Sequence, residues 1–254
     1  MDLKAVSPDQ TVLWQWGPVS LNATILATWV VMGILVIGSW LITRRLSPAG
    51  RLSRWQNLLE ILVSGMLREI GGISRGDPRK FLDFTGTLFV FILASNLLAV
   101  VPGYVPPTAS LSTTAALAVC VFVAVPLYGI RSRGFAGFLK QYIEPTPLML
   151  PFNVLGEVSR TLALAIRLFG NLMSGTKIVG ILLAITPLFF PVVMNALGLL
   201  TGVIQAYIFA VLAMVYIASA TRAHREKGEE NEEKKEEEKM EKRNRNANGK
   251  GDDE

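Results

Sequence analysis

Residues that hold metals and staple loops are nearly missing from this chain of 254 residues. It has one cysteine and one histidine. A single cysteine excludes an intrachain disulfide, and a single histidine excludes a histidine-based metal cluster. Cys120 lies inside an apolar run, and His224 stands just past the last one, where it reads as a solvated interfacial residue. Charge is scarce as well: 18% of residues carry it, against 51% that are apolar. That balance is too apolar for an ordinary soluble domain and points to several membrane spans. The first apolar run follows Asp2, Lys4 and Asp9, with no basic start and no small-residue cleavage site. It is expected to be an anchor and not a cleaved signal.

The net charge of +5 does not indicate nucleic acid as a partner. Residues 222–254 hold ten Lys/Arg and twelve Asp/Glu, which leaves 15 basic and 8 acidic groups for the rest. The basic excess therefore belongs to the membrane part. A phosphate-binding loop is missing too, although "RLFGNLMSGTK" at 167–177 imitates one. Gly170 and Gly175 have its spacing, but Thr176 and Lys177 stand in inverted order, and apolar runs flank the stretch on both sides. Such a loop needs a buried strand before it and a soluble helix after it. No motif here calls for a cofactor.

What the chain does have is length without charge. Apolar runs at about 21–43, 82–102 and 111–130 match the ~20 residues that a bilayer core requires. Two longer stretches, about 148–186 and 192–221, are separated by "TPLFFP", whose Pro187 and Pro191 break them into a hairpin. The first of the two exceeds a perpendicular crossing and must tilt. Residues 55–70, "WQNLLEILVSGMLREI", mix Glu60, Arg68 and Glu69 with apolar positions and suit a helix at the membrane interface. The expected fold class is thus all-α: five transmembrane helices, an interfacial helix and a long tilted C-terminal hairpin. Residues 1–20 form an external segment, 21–221 the membrane domain and 222–254 a charged tail expected to be disordered. Arginines follow spans one, three and five, while the turns at 103–110 and 186–191 carry no charge. This alternation predicts an outside N-terminus and a cytoplasmic C-terminus in a plasma membrane.

Within the fourth stretch sit charges that lipid disfavours: Glu157, Arg160, Arg167 and Lys177, with Asn171 among them. An ionised group near the bilayer centre costs at least ~2.5–3.5 kcal/mol, so such groups face protein or water and usually work. Helical periodicity puts Glu157, Arg160, Arg167, Asn171 and Ser174 on one face. Glu157 and Arg160 are spaced for a plain i,i+3 pair. Arg167 has no acid within a helical turn. The pairs Gly170/Ser174 and Gly198/Gly202 have small-xxx-small spacing, which predicts close packing of the last two helices, with Gln205 one turn on.

These residues resemble a family. "RLFGN" at 167–171, "LGEVSRTLALAI" before it, "IQAYIF" at 204–209, "SNLLAVVPG" at 95–103, "PTASLSTTAALAV" and "GFAGFLK" at 134–140 are similar, in the same order, to subunit a of the F-type ATP synthase membrane sector. The resemblance covers roughly residues 55–221. It implies a stator with no active site of its own, set beside a ring of c subunits and held by b-type peripheral stalk subunits. Two offset half-channels would carry H+ or Na+ to and from a carboxylate on each c subunit. By position Arg167 takes the family's indispensable arginine, Asn171 and Gln205 match polar positions along the path, and Glu157 and Arg160 match a charged pair toward the cytoplasmic half. Where many relatives carry an acid or histidine this chain has Thr176 and Gly198, and Ala99 stands where proton-type relatives carry an aspartate. Hydroxyls, carbonyls and water suit sodium better than protons, so the resemblance leans toward a sodium-type branch. A secondary transporter with a midplane anion site at Arg167 and a structural scaffold are the other readings the residues allow.

Overall fold

The computed structural model describes residues 12–16, 19–44, 54–74, 77–101, 104, 106–143, 148–185 and 190–248. Within these, the side chains of 12–23, 133, 141, 176, 183–185, 190–191 and 222–248 lie outside the described residues. Two short strands, β1 (Val12–Trp16) and β2 (Val19–Asn22), pair antiparallel with Trp16 opposite Val19. This hairpin was not expected in an all-α chain. It precedes the first helix, and the long elements that follow it are all helices. Helices follow as α1 (Ala23–Thr43), α2 (Arg54–Ile73), α3 (Arg79–Leu97), α4 (Leu111–Ile143), α5 (Met149–Ile185) and α6 (Phe190–Asn248).

Five of these helices are long and apolar enough to cross a membrane: α1, α3, the first part of α4, α5 and α6 over Val192–Thr221. They match the five expected runs within a few residues. Their outward sides carry Trp29, Val36, Leu127, Leu155 and Leu200, all exposed. That pattern suits lipid as the surrounding solvent, in which every backbone group must be satisfied within the helix. Prolines fall where helices tolerate them: Pro151 and Pro191 in first turns, with Pro126 alone in an interior.

The core lies where α3, α4 and α5 meet α6. Leu88 and Ile92 of α3, Val121 and Val125 of α4, and Leu164 and Leu168 of α5 surround Phe209, Met214 and Ile217 of α6. Alanines 206, 210, 213, 218 and 220 are all buried, so small side chains do bring neighbours close to α6. They are not the small residues that the spacing had suggested. α2 is drawn against the spanning helices. Its Met66 would lie 3.8 Å from a Cβ placed at Gly86 of α3, and its Glu69 accepts a 3.0 Å hydrogen bond from the Tyr207 hydroxyl of α6.

Two irregularities set the positions of polar groups. After α3, the segment 106–110 folds inward, burying Pro107, Thr108, Ala109 and Ser110. In α4, Gly134 has φ +76° and ψ 163°, a conformation that side-chain-bearing residues rarely adopt. The residues beyond it, 135–143, turn back, and the Phe138 ring lies over Gly129, where an added Cβ would meet it at 2.7 Å.

The tail gives a correction. Residues 222–248 continue α6 as helix, where the composition suggested disorder. Glu, Lys, Arg and Met are good helix formers, and the spanning helix supplies the nucleus that a free segment would have to form for itself.

One polar junction fastens α3 to α6. The buried Asn96 side chain donates from Nδ2 to the Gly202 carbonyl at 2.8 Å and accepts at Oδ1 from the Thr108 hydroxyl at 2.7 Å. Replacing Asn96 by Leu strands both partners in an apolar core. It is expected to cost about 2 kcal/mol, read as a melting temperature lowered by several degrees in detergent. Gly202→Ala is expected to act in the same direction, because its Cβ would stand 2.9 Å from that of Asn96. Unchanged melting in both variants would mean that the junction contributes nothing to stability.

Candidate functional site

Arg167 falls between inward-turned neighbours. Leu164, Ala165 and Leu168 are buried, while the helical repeat sends Arg160, Arg167, Gly170, Asn171 and Ser174 to an exposed side of α5. Arg167 makes no hydrogen bond or ion pair among the described residues. The guanidinium therefore faces out of the chain. Lys177 is exposed on the same helix; the Thr176 side chain lies outside the described residues.

From the 106–110 turn a line of polar groups leads toward this arginine. It runs through Thr108 and Asn96 to the Gly202 carbonyl. Gln205, 2% exposed, follows one helical turn along α6, and its Oε1 accepts from Asn171 Nδ2 at 2.6 Å. Arg167 is one turn before Asn171. Two buried polar atoms beside this line, Ser95 Oγ and Gln205 Nε2, have no partner among the described residues. Unpaired donors are costly in an apolar surround, and functional sites are where they persist. The sequence placed Asn171 and Gln205 on a shared face; Asn96, Thr108 and Ser95 were missed. Their signal was polarity inside an apolar run, in "SNLLAV" and just before "LSTTAALAV".

A second cluster forms nearer the start of α5. Tyr142, carried by the turned-back end of α4, donates its hydroxyl to Glu157 Oε2 at 3.0 Å. Asn153 braces this arrangement by donating to the Tyr142 carbonyl at 3.1 Å. Arg160 lies over the Tyr216 ring of α6, 5.7 Å from its centroid. Glu157 and Arg160 therefore do not form the i,i+3 ion pair that their spacing allows. Burial first, and then the adjacent Glu157, push the Tyr142 phenol well above its usual range, so it remains a donor at working pH.

The expected packing of α5 on α6 through four small residues is not what the structure shows. Gly202 is buried, but its close neighbour is Asn96 of α3. Gly170 and Gly198 are exposed, with nothing within 4 Å of an added Cβ, and the exposed Ser174 hydroxyl turns back to the Asn171 carbonyl. The helices meet on larger side chains and alanines one face away. The small residues leave an open, shallow surface on the side where Arg167 emerges.

Comparison with known proteins agrees with the reading of the motifs. The family model of the ATP synthase A chain matches residues 25–218. "ATP synthase subunit a 2" of Acaryochloris marina is 62% identical over 217 residues, which is 85% of this chain and 93% of that one. "ATP synthase subunit a" of Albidiferax ferrireducens is 60% identical over 224 residues, covering 88% and 97%. "ATP synthase subunit a 1" of Chlorobaculum parvum is 61% identical over 222 residues, covering 87% and 98%. With five helices fit to span a bilayer and a match over most of its length, the chain is a multi-pass membrane protein that belongs to the ATP synthase A chain family.

Proposed function

We propose that this chain is the ion-conducting stator subunit of an F-type ATP synthase, with Arg167 as the fixed charge that meets a carboxylate on each c subunit of a rotating ring. The observation that carries this reading is an arginine on an exposed face within the span, with no acid paired to it among the described residues. A guanidinium stays protonated at any working pH, so it attracts a passing carboxylate without accepting or passing on a proton. It displaces the carried ion and separates the two access paths. The open surface left by Gly170, Ser174 and Gly198 lets a neighbouring helix approach it. Family membership supports a c ring and a b-type stalk as partners, and the loop charges support an outside N-terminus.

The line Thr108–Asn96–Gln205–Asn171 is the path from the outer side, and the Glu157–Arg160 region is the path from the cytoplasmic side. The outer line consists of hydroxyl, amide and carbonyl oxygens, with no carboxylate or imidazole among its described members. Hard oxygen ligands of this kind suit sodium, and a proton relay would want titratable groups. Sodium is accordingly the proposed ion. The secondary-transporter reading has less support, since such proteins build their sites from broken helices, whereas α5 and α6 run unbroken through their candidate spans.

In membrane vesicles carrying the assembled complex, Arg167→Ala is expected to abolish ATP synthesis and ATP-driven ion uptake while the complex still assembles. Arg167→Lys is expected to lose at least about tenfold, because an ammonium lacks the planar fork and can deprotonate when desolvated. Coupled activity in the alanine variant would refute the assignment. Synthesis driven by a sodium gradient at fixed pH tests the ion. Indifference to sodium, with full synthesis on a pH gradient alone, would exclude it. Gln205→Leu together with Asn171→Leu is expected to lower the maximal rate about tenfold or more, and an unaffected rate would take the pair out of the path.

A further inference from the structure

Glu157 and Arg160 are placed to neutralise each other, and they do not. Three residues apart on a helix, a carboxylate and a guanidinium are neighbours. In a half-buried setting their attraction is stronger than in water, and an arginine fork fits a carboxylate with two hydrogen bonds. Instead each is held by an aromatic residue from a different helix. The carboxylate accepts from Tyr142 of α4 at 3.0 Å, and the guanidinium sits 5.7 Å from the ring centroid of Tyr216 of α6.

The means of placing Tyr142 is specific. Gly134 redirects α4 by its positive φ, and Phe138 lies over Gly129 and 4.8 Å from the Tyr142 ring. Asn153 of α5 ties down the Tyr142 carbonyl. The Gly134 turn and three contacts thus hold one tyrosine, aimed at one carboxylate. The Thr161 hydroxyl bonds the Glu157 backbone carbonyl and leaves the side chain free to take the phenol.

We propose that Tyr142 is a positioning residue for Glu157: by donating to the carboxylate it keeps the acid off Arg160, so that the cation Glu157 meets is the translocated ion. This rests on the stator reading above. A Glu157 locked to Arg160 would offer no net charge to an incoming or departing cation. With Tyr142 in place the acid keeps its charge and a second oxygen for the ion. Among the described residues, the charged and titratable side chains bearing on Glu157 are Tyr142 from α4 and Arg160 on α5 itself; Tyr216 from α6 lies under the arginine.

The test reads the half-saturating concentration of the ion on the cytoplasmic face for ATP-driven uptake by the assembled complex in inside-out vesicles, with sodium titrated at fixed pH and protons at fixed sodium. Tyr142→Phe is expected to raise it about fivefold, on the scale of one charge-assisted hydrogen bond, with the maximal rate within about twofold. In an Arg160→Gln background the same change is expected to shift it by less than about twofold, since no guanidinium remains to capture the acid. An unmoved half-saturating concentration in Tyr142→Phe overturns the proposal. So does an equal shift in both backgrounds, the mark of a general structural loss. Should Tyr142→Phe fail to assemble, Asn153→Ala, which frees the tyrosine backbone but keeps its hydroxyl, takes its place in both backgrounds, with the same shifts expected and the same two results overturning the proposal. Either failure leaves the stator reading standing; only coupled activity in Arg167→Ala removes that.

Discussion

A guanidinium set on the outer side of a membrane helix has to be met by something, because lipid will not solvate it and it cannot shed its proton. Among the described residues no acid pairs with it, and three are engaged elsewhere. Glu157 accepts from Tyr142, Glu69 accepts from Tyr207, and Asp77 accepts from the Arg79 backbone amide. On the proposed function, the charge of Arg167 is left for a neighbouring subunit to answer. Much of the surrounding architecture is consistent with that demand: leucines on either side turn inward and fix the helix, while small residues keep the outward face low.

Among the described residues, the polar side chains that flank Arg167 along the chain fall into two groups rather than one. One descends from the 106–110 turn through Asn96 and Gln205 to Asn171. The other gathers Tyr142, Asn153, Glu157 and Arg160 near the beginning of α5. Between them the α5–α6 contact is filled by Leu164, Leu168, Phe209 and Ala206, all buried. This apolar packing leaves the two polar groups without a hydrogen-bonded connection among the described residues. On the proposed mechanism such a separation is what forces an ion to travel by way of the ring, because a continuous polar path would discharge the gradient. On the proposed mechanism the outer group combines stability with transport, since the buried Asn96 that fastens α3 to α6 also lies along the path.

The spans were legible because a run of about 20 apolar residues has few other uses, and Arg167 was legible because its position is expensive. Gln205 and Asn171 could be placed on facing sides from helical spacing. What spacing could not supply was the partner of each small residue. Gly202 and Gly198 share a motif, yet one is pressed against Asn96 and the other is open, and only the tertiary placement of α3 distinguishes them. Tyr142 was invisible for a related reason. Its contact with Glu157 depends on a reversal at Gly134, and a glycine between two apolar helical stretches does not announce its φ. The N-terminal hairpin went unseen because a short strand pair has no long periodicity to detect. The tail misled in the opposite sense: composition alone ignores the helix that already stands before it.

The unbroken run of α6 from Phe190 to Asn248 has a mechanical consequence. At about 1.5 Å per residue, the part beyond Thr221 rises some 40 Å from the last spanning turn. A coil of equal length would act as a slack tether whose reach fluctuates, whereas a helix transmits orientation as well as distance. The charged segment thereby continues the helix that holds Gln205, so the direction in which it leaves the membrane follows from that of the last span.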